Sequence, residues 1–103
     1  MNITQPQEAA FKKLMANIAT FSNRYGSIDN LMIMTNPNFP TSIFVKYNKQ
    51  FGLVKDRKLE INIVEITQTG ELIVLSDVFK NIYERYAFLG ECVPIEVKDL
   101  IVI

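Results

Sequence analysis

"LEINIVEIT", residues 59–67, is the longest β-patterned stretch after the N-terminal third of the chain. Leu59, Ile61 and Ile63 alternate with Glu60 and Asn62, the period-two pattern of a strand with one apolar and one polar face. Val64 and Ile66 then place apolar groups on the polar face, so the phase switches partway along. Either a bulge shifts the register there, or both faces of the sheet are covered at that end, by the second helix or by another subunit. The stretch is followed by Gln68-Thr69-Gly70-Glu71, whose glycine suits a tight hairpin into the β-rich run Leu72 to Leu75.

Working back toward the N-terminus, short β-rich runs occupy Leu31 to Thr35, Ser42 to Asn48 and Phe51 to Lys55. Asn36-Pro37-Asn38 and Pro40 bar regular pairing between the first two. A meander of antiparallel strands is the simplest arrangement.

Helices flank this region. Between residues 4 and 26, Phe11, Leu14, Met15, Ile18, Phe21 and Tyr25 recur at three- and four-residue steps, one apolar stripe along a helix. Thr4 and Gln7 stand at capping-box spacing, Pro6 suits the first turn, and Gly26 is placed to terminate the helix. A second helix is expected after a cap at Ser76 or Asp77. Its core-facing stripe is Val78, Phe79, Ile82, Tyr83 and Tyr86, and Gly90 is its terminator. Val93 to Val97, with Pro94 favouring an edge, and Leu100 to Ile103 add one or two strands. The expected fold is therefore α+β, a single domain over residues 1–103: an antiparallel meander of about five to six strands. The N-terminal amphipathic helix and the second helix pack on it.

Composition narrows the chemistry. The chain has 103 residues, 49% of them hydrophobic, enough for one core. Its longest uninterrupted apolar runs are four residues, against the about 20 that a membrane helix needs. The first thirty residues are amphipathic and charged, unlike a secretory leader, and Cys92 is the lone cysteine, so a cytoplasmic protein is expected. With no histidine, Ser-His-Asp, Cys-His and His-containing zinc sites are excluded. No acidic calcium loop and no glycine-rich phosphate loop occurs, and no metal or cofactor is expected. Thirteen Ile, nine Asn and a Lys to Arg ratio of eight to three are what AT-rich coding sequence produces, compatible with a low-GC bacterium, a phage or another mobile element.

Five features are candidate sites, the last of them the C-terminal run. "KYNKQFGLVKDRK", residues 46–58, carries Lys46, Lys49, Lys55, Arg57 and Lys58 against Asp56, four units positive in a chain of formal charge zero. With Tyr47 and Phe51 as stacking platforms it would grip a small anion or single-stranded nucleic acid. Against this, a strand over Phe51 to Lys55 separates Lys49 from Lys55 by roughly 20 Å, and Tyr47 shares a face with Ile43 and Val45, so a solvated hairpin is the simpler account. Tyr83 and Tyr86 on the second helix form a candidate ligand or partner face, unless both rings cover the sheet with their hydroxyls at the rim. Glu60 and Glu65 invite acid-base chemistry, but their numbers differ in parity and point them to opposite faces of a regular strand. Cys92, with Lys98 the nearest cation in sequence, reads as a small buried hydrophobe rather than a reactive thiol.

"LIVI", residues 100–103, is a run of four apolar β-formers that must be covered. It lies within the sheet of its own chain, or Leu100, Ile101, Val102 and Ile103 form an edge that pairs with another chain. The expected function is a small non-enzymatic protein-interaction or inhibitory accessory protein, of phage or mobile-element type, self-associating through this strand. Nucleic-acid or anion binding through the basic stretch is the alternative, and a carboxylate- or tyrosine-based enzyme ranks last. The expected partners are a protein, a second copy, or both, and not a membrane.

Overall fold

The computed structural model describes residues 1–51 and 58–103, with the backbone alone at 51, 58 and 59. After a short strand β1 (Asn2–Ile3), helix α1 spans Gln5–Arg24. The capping box forms as the spacing predicts: Gln7 N–H donates to Thr4 Oγ1 at 3.2 Å, and Thr4 N–H donates to Gln7 Oε1 at 2.9 Å. The helix buries Gln7, Ala10, Leu14 and Ile18 on one face. Tyr25 instead lies past the helix end and is exposed, and Gly26 is not a left-handed terminator. Gly26 opens the next strand, and Gly70 is the one described glycine with positive φ.

Strands β2 (Gly26–Thr35), β3 (Ile43–Phe51), β4 (Lys58–Ile66) and β5 (Leu72–Val74) form the expected meander. A 3₁₀ turn, Leu75–Asp77, leads toward α2 (Ile82–Glu91), followed by β6 (Val93–Ile95), a second 3₁₀ turn and β7 (Ile101–Val102). The main sheet is antiparallel, in the order β5-β4-β3-β2-β6, which is an α+β architecture. Pro94 lies in β6, an edge strand, where its missing N–H costs least. β3 runs without a break through Lys49 and Gln50 to Phe51, so the two strands expected from Ser42 to Asn48 and Phe51 to Lys55 are not separated there. Beyond Phe51, the second of them lies outside the described residues.

The phase switch in β4 is resolved by covering both faces. Pairing of β4 with β3 is continuous from Ile43 opposite Ile66 to Phe51 opposite Lys58, with no bulge. Val64 and Ile66 join Ile43, Val45 and Tyr47 beneath Ala10, Leu14 and Ile18 of α1. On the opposite face Phe44, Ile63 and Met34 are buried, and the Phe88 ring of α2 meets Phe44 with centroids 5.0 Å apart. The bulge occurs in β2 instead, between Asp29 and Met32, where Asn30 adopts φ 54°. It re-phases that strand so that Ile28, opposite Lys49, and Ile33, opposite Val45, both turn toward α1.

The hairpin at Gly70 forms as expected. Gly70 N–H donates to Thr67 O at 2.9 Å and Thr67 N–H to Glu71 O at 3.0 Å, with Gly70 at φ 86°. β7 does not join the main sheet. It pairs in parallel with β1, Ile101 N–H donating to Met1 O at 2.8 Å and Ile103 N–H to Ile3 O at 2.9 Å. β1 carried no sequence signal of its own, because two residues are too few for any periodicity.

Candidate functional site

Helix α2 begins later than the sequence suggests and faces the other way. Asn81, not Ser76 or Asp77, is its N-cap: Glu84 N–H donates to Asn81 Oδ1 at 3.0 Å, and Lys80 N–H donates to Glu84 Oε2 at 2.7 Å. Asp77 ends the 3₁₀ turn, and Val78 N–H closes back onto Leu75 O at 2.9 Å. The helix also continues through Gly90 to Glu91, so Gly90 is an interior residue and not the terminator.

The side of α2 turned toward the sheet carries Arg85, Phe88 and Leu89, all half-buried. Phe88 sits between Phe44, Phe39 at 6.3 Å and Phe79 at 5.5 Å. The expected inward stripe is therefore corrected. Phe79 does pack inward, but Val78, Ile82, Tyr83 and Tyr86 are 61%, 52%, 80% and 64% exposed. Phe88 already meets the rings of Phe44, Phe39 and Phe79, and a helix turned to bury Tyr83 and Tyr86 would bring Phe88 out into water.

At about 100° per residue, Ile82, Tyr86, Gly90, Tyr83 and Ala87 occupy one continuous arc of about 140°. No charged side chain lies within this arc; Glu91 and Glu84 follow beyond Ala87. A Cβ built on Gly90 meets nothing within 4 Å, so the arc is raised at Ile82, Tyr83 and Tyr86 and recessed at Gly90. Two tyrosines and an isoleucine at these exposures present on the order of 500 Å², the size of the largest patch on a typical monomer, which is often functional. Sequence spacing singles out Tyr83 and Tyr86 as a candidate partner face but also sets them, with Ile82, in the core-facing stripe, and it takes Gly90 for the helix terminator. The signal was the aromatic Phe88 at the end of the helix, which competes with Tyr83 and Tyr86 for the sheet.

The other candidates are less concentrated. Lys46 lies opposite Ile63 on the Phe44 face, whereas Lys49 lies on the α1 face with Nζ 4.8 Å from the centre of the Phe21 ring. The two described lysines of the basic stretch thus do not share a surface. Tyr47 is only 6% exposed and belongs to the core, so it is not a stacking platform. Burial pushes its phenol pKa up, with the Glu60 carboxylate adding to the rise. Lys55 and Arg57 lie outside the described residues, as do the side chains of Lys58 and Phe51.

The regular β3–β4 register leaves Glu60 and Glu65 on opposite faces, and Glu65 Oε2 accepts a bond from Ser42 Oγ at 2.7 Å. Cys92 is half-buried; burial raises its pKa, the bond from Asn36 Nδ2 at 3.7 Å opposes this, and Glu91 adds to it. Among the described residues, no three His, Cys, Asp or Glu side chains come together as a metal-holding group. No described helix is long and apolar enough to cross a membrane.

Of the terminal run, Leu100 packs against the core beneath α1. Ile101, Val102 and Ile103 remain 59%, 38% and 70% exposed although the strand is paired with β1. One edge of β7 is thereby occupied within its own chain. No family model, no curated protein and no solved structure matches this chain.

Proposed function

We propose that this chain is a small non-enzymatic protein-interaction protein that acts by presenting the outer face of α2 to another protein surface. The observation that carries this reading is the uncharged arc of Ile82, Tyr83 and Tyr86, exposed while the other side of the same helix is half-buried and sets Phe88 against Phe44 of the sheet. Tyrosine suits such a role, since it supplies a large amphipathic contact area with few rotatable bonds. The C-terminal strand, by contrast, has one backbone edge already hydrogen-bonded within its chain, and its side chains make a secondary apolar margin. The proposed location is the cytoplasm, on the strength of the single free Cys92.

The test compares the wild type with a Tyr83→Glu/Tyr86→Glu variant. Both are titrated with purified fractions of a bacterial lysate and, separately, with themselves at rising concentration. Complex formation by the wild type, in either titration, that is lost in the variant is the expected outcome. Equal complex formation by both, or none by either, overturns the reading.

A further inference from the structure

The outer arc of α2 is self-complementary under a two-fold axis. Placed antiparallel to a second α2 with Tyr86 at the axis, each helix sets Ile82 opposite Gly90 of the other, because both lie four residues from Tyr86. The bulk of Ile82 then enters the notch at Gly90, where a Cβ would find open space. Residues 82, 86 and 90 form an i, i+4, i+8 ridge, the row by which helices commonly interdigitate. The arc has no charge to desolvate, and a formal net charge of zero gives two copies no long-range repulsion.

The area agrees with this occupant. Full cover of on the order of 500 Å² on each copy would bury about 1,000 Å², the lower bound for a specific association, so the whole arc has to take part in the pairing. Closed two-fold pairing is also the commonest way for a patch to be satisfied by an identical one. Resting on the interaction role proposed above, we infer that the partner of this face is a second copy of the chain, docked through an antiparallel α2–α2 pair centred on Tyr86.

Two experiments separate this inference from the broader reading. In the first, molar mass is measured by light scattering behind a sizing column over a hundredfold concentration range, for the wild type and for Gly90→Trp. A Cβ at position 90 meets nothing within 4 Å in the single chain, so the variant is expected to fold, which its thermal unfolding checks, while the indole fills the notch that Ile82 needs. The expected result is a dimer whose dissociation constant rises at least tenfold in Gly90→Trp, with unchanged thermal unfolding of the monomer. In the second, Tyr86→Cys is placed in a Cys92→Ser background and oxidised mildly. Rapid intermolecular disulfide formation is expected, while Asn17→Cys, on an exposed position of α1, remains unlinked in the same background. A monomer at every concentration, or a dimer indifferent to Gly90→Trp with no preference for cross-linking at position 86, overturns the inference. If lysate complexes sensitive to Tyr83→Glu/Tyr86→Glu persist in that case, the interaction role stands and only the identity of the partner falls.

Discussion

The ring of Phe88 on α2 meets the ring of Phe44 on β3 edge-on, with centroids 5.0 Å apart and planes at 69°. This contact orients α2, since Phe44 is fully buried in the sheet and Phe88 is the helix residue that reaches it. It also determines which side chains the helix leaves in water.

Phe88→Ala is therefore expected to lower unfolding free energy by about 3 kcal/mol. A double-mutant cycle with Phe44→Leu should return a coupling of about 1 kcal/mol for the ring pair. Denaturant unfolding followed by circular dichroism checks both values. A loss below about 1 kcal/mol for Phe88→Ala would mean that the ring does not hold the helix.

Gln7 is a buried amide with work at both ends. Its Nε2 donates to Thr41 O at 2.8 Å and to Ile66 O at 3.4 Å, while its Oε1 accepts from Thr4 N–H. Gln7→Leu strands these backbone groups and is expected to cost about 2 kcal/mol. Gln7→Glu should cost at least as much at neutral pH, because a carboxylate then faces two carbonyl oxygens. Part of that loss returns at about pH 4, where a protonated carboxyl again donates; urea titrations at the two pH values read the difference.

Gly70 combines a positive φ of 86° with a close approach, a Cβ there falling 2.7 Å from the backbone oxygen of Pro6. Gly70→Ala is expected to destabilise by more than about 1 kcal/mol and to loosen the first turn of α1 along with the hairpin. Amide exchange at Gln7 and Glu8 that stays at the wild-type rate would show the two elements to be independent.

Burial, reinforced by Glu60, holds the Tyr47 phenol above its ordinary pKa of 10.0. The unfolded chain therefore loses this proton first as pH rises. The contribution is fully present below the unfolded value and is lost between it and the higher folded one. Stability measured from about pH 9 to about pH 11.5 should fall more steeply in the wild type than in Tyr47→Phe, by up to about 1.4 kcal/mol per pH unit. Identical slopes would mean that Tyr47 ionises in the folded protein as it does in water.

Short-range chemistry is the part of this fold that can be read directly from the amino acids. The capping box of Thr4 and Gln7, the stripe through Leu14 and Ile18, and the turn at Gly70 each depend on residues within a few positions of one another, and each was legible. The period-two runs likewise point to an antiparallel sheet, whereas the apolar pair Val64 and Ile66 left two readings open, a bulge or cover on both faces, and the unbroken pairing with β3 selects the second.

Tertiary structure alone decided what competes over distance. The pairing of Ile101 with Asn2 joins residues at opposite ends of the chain, beyond the reach of any local pattern. The bulge in β2 is set by the register against β3, and Asn30 gave no sign of it. The rotation of α2 is the clearest case. Its sequence offers two apolar sides, one through Ile82, Tyr83 and Tyr86 and one through Phe88 and Leu89, and periodicity cannot choose between them. Phe44, Phe39 and Phe79, brought together from three separate segments, form a place for one more phenyl ring, and its occupation by Phe88 leaves the tyrosines outside.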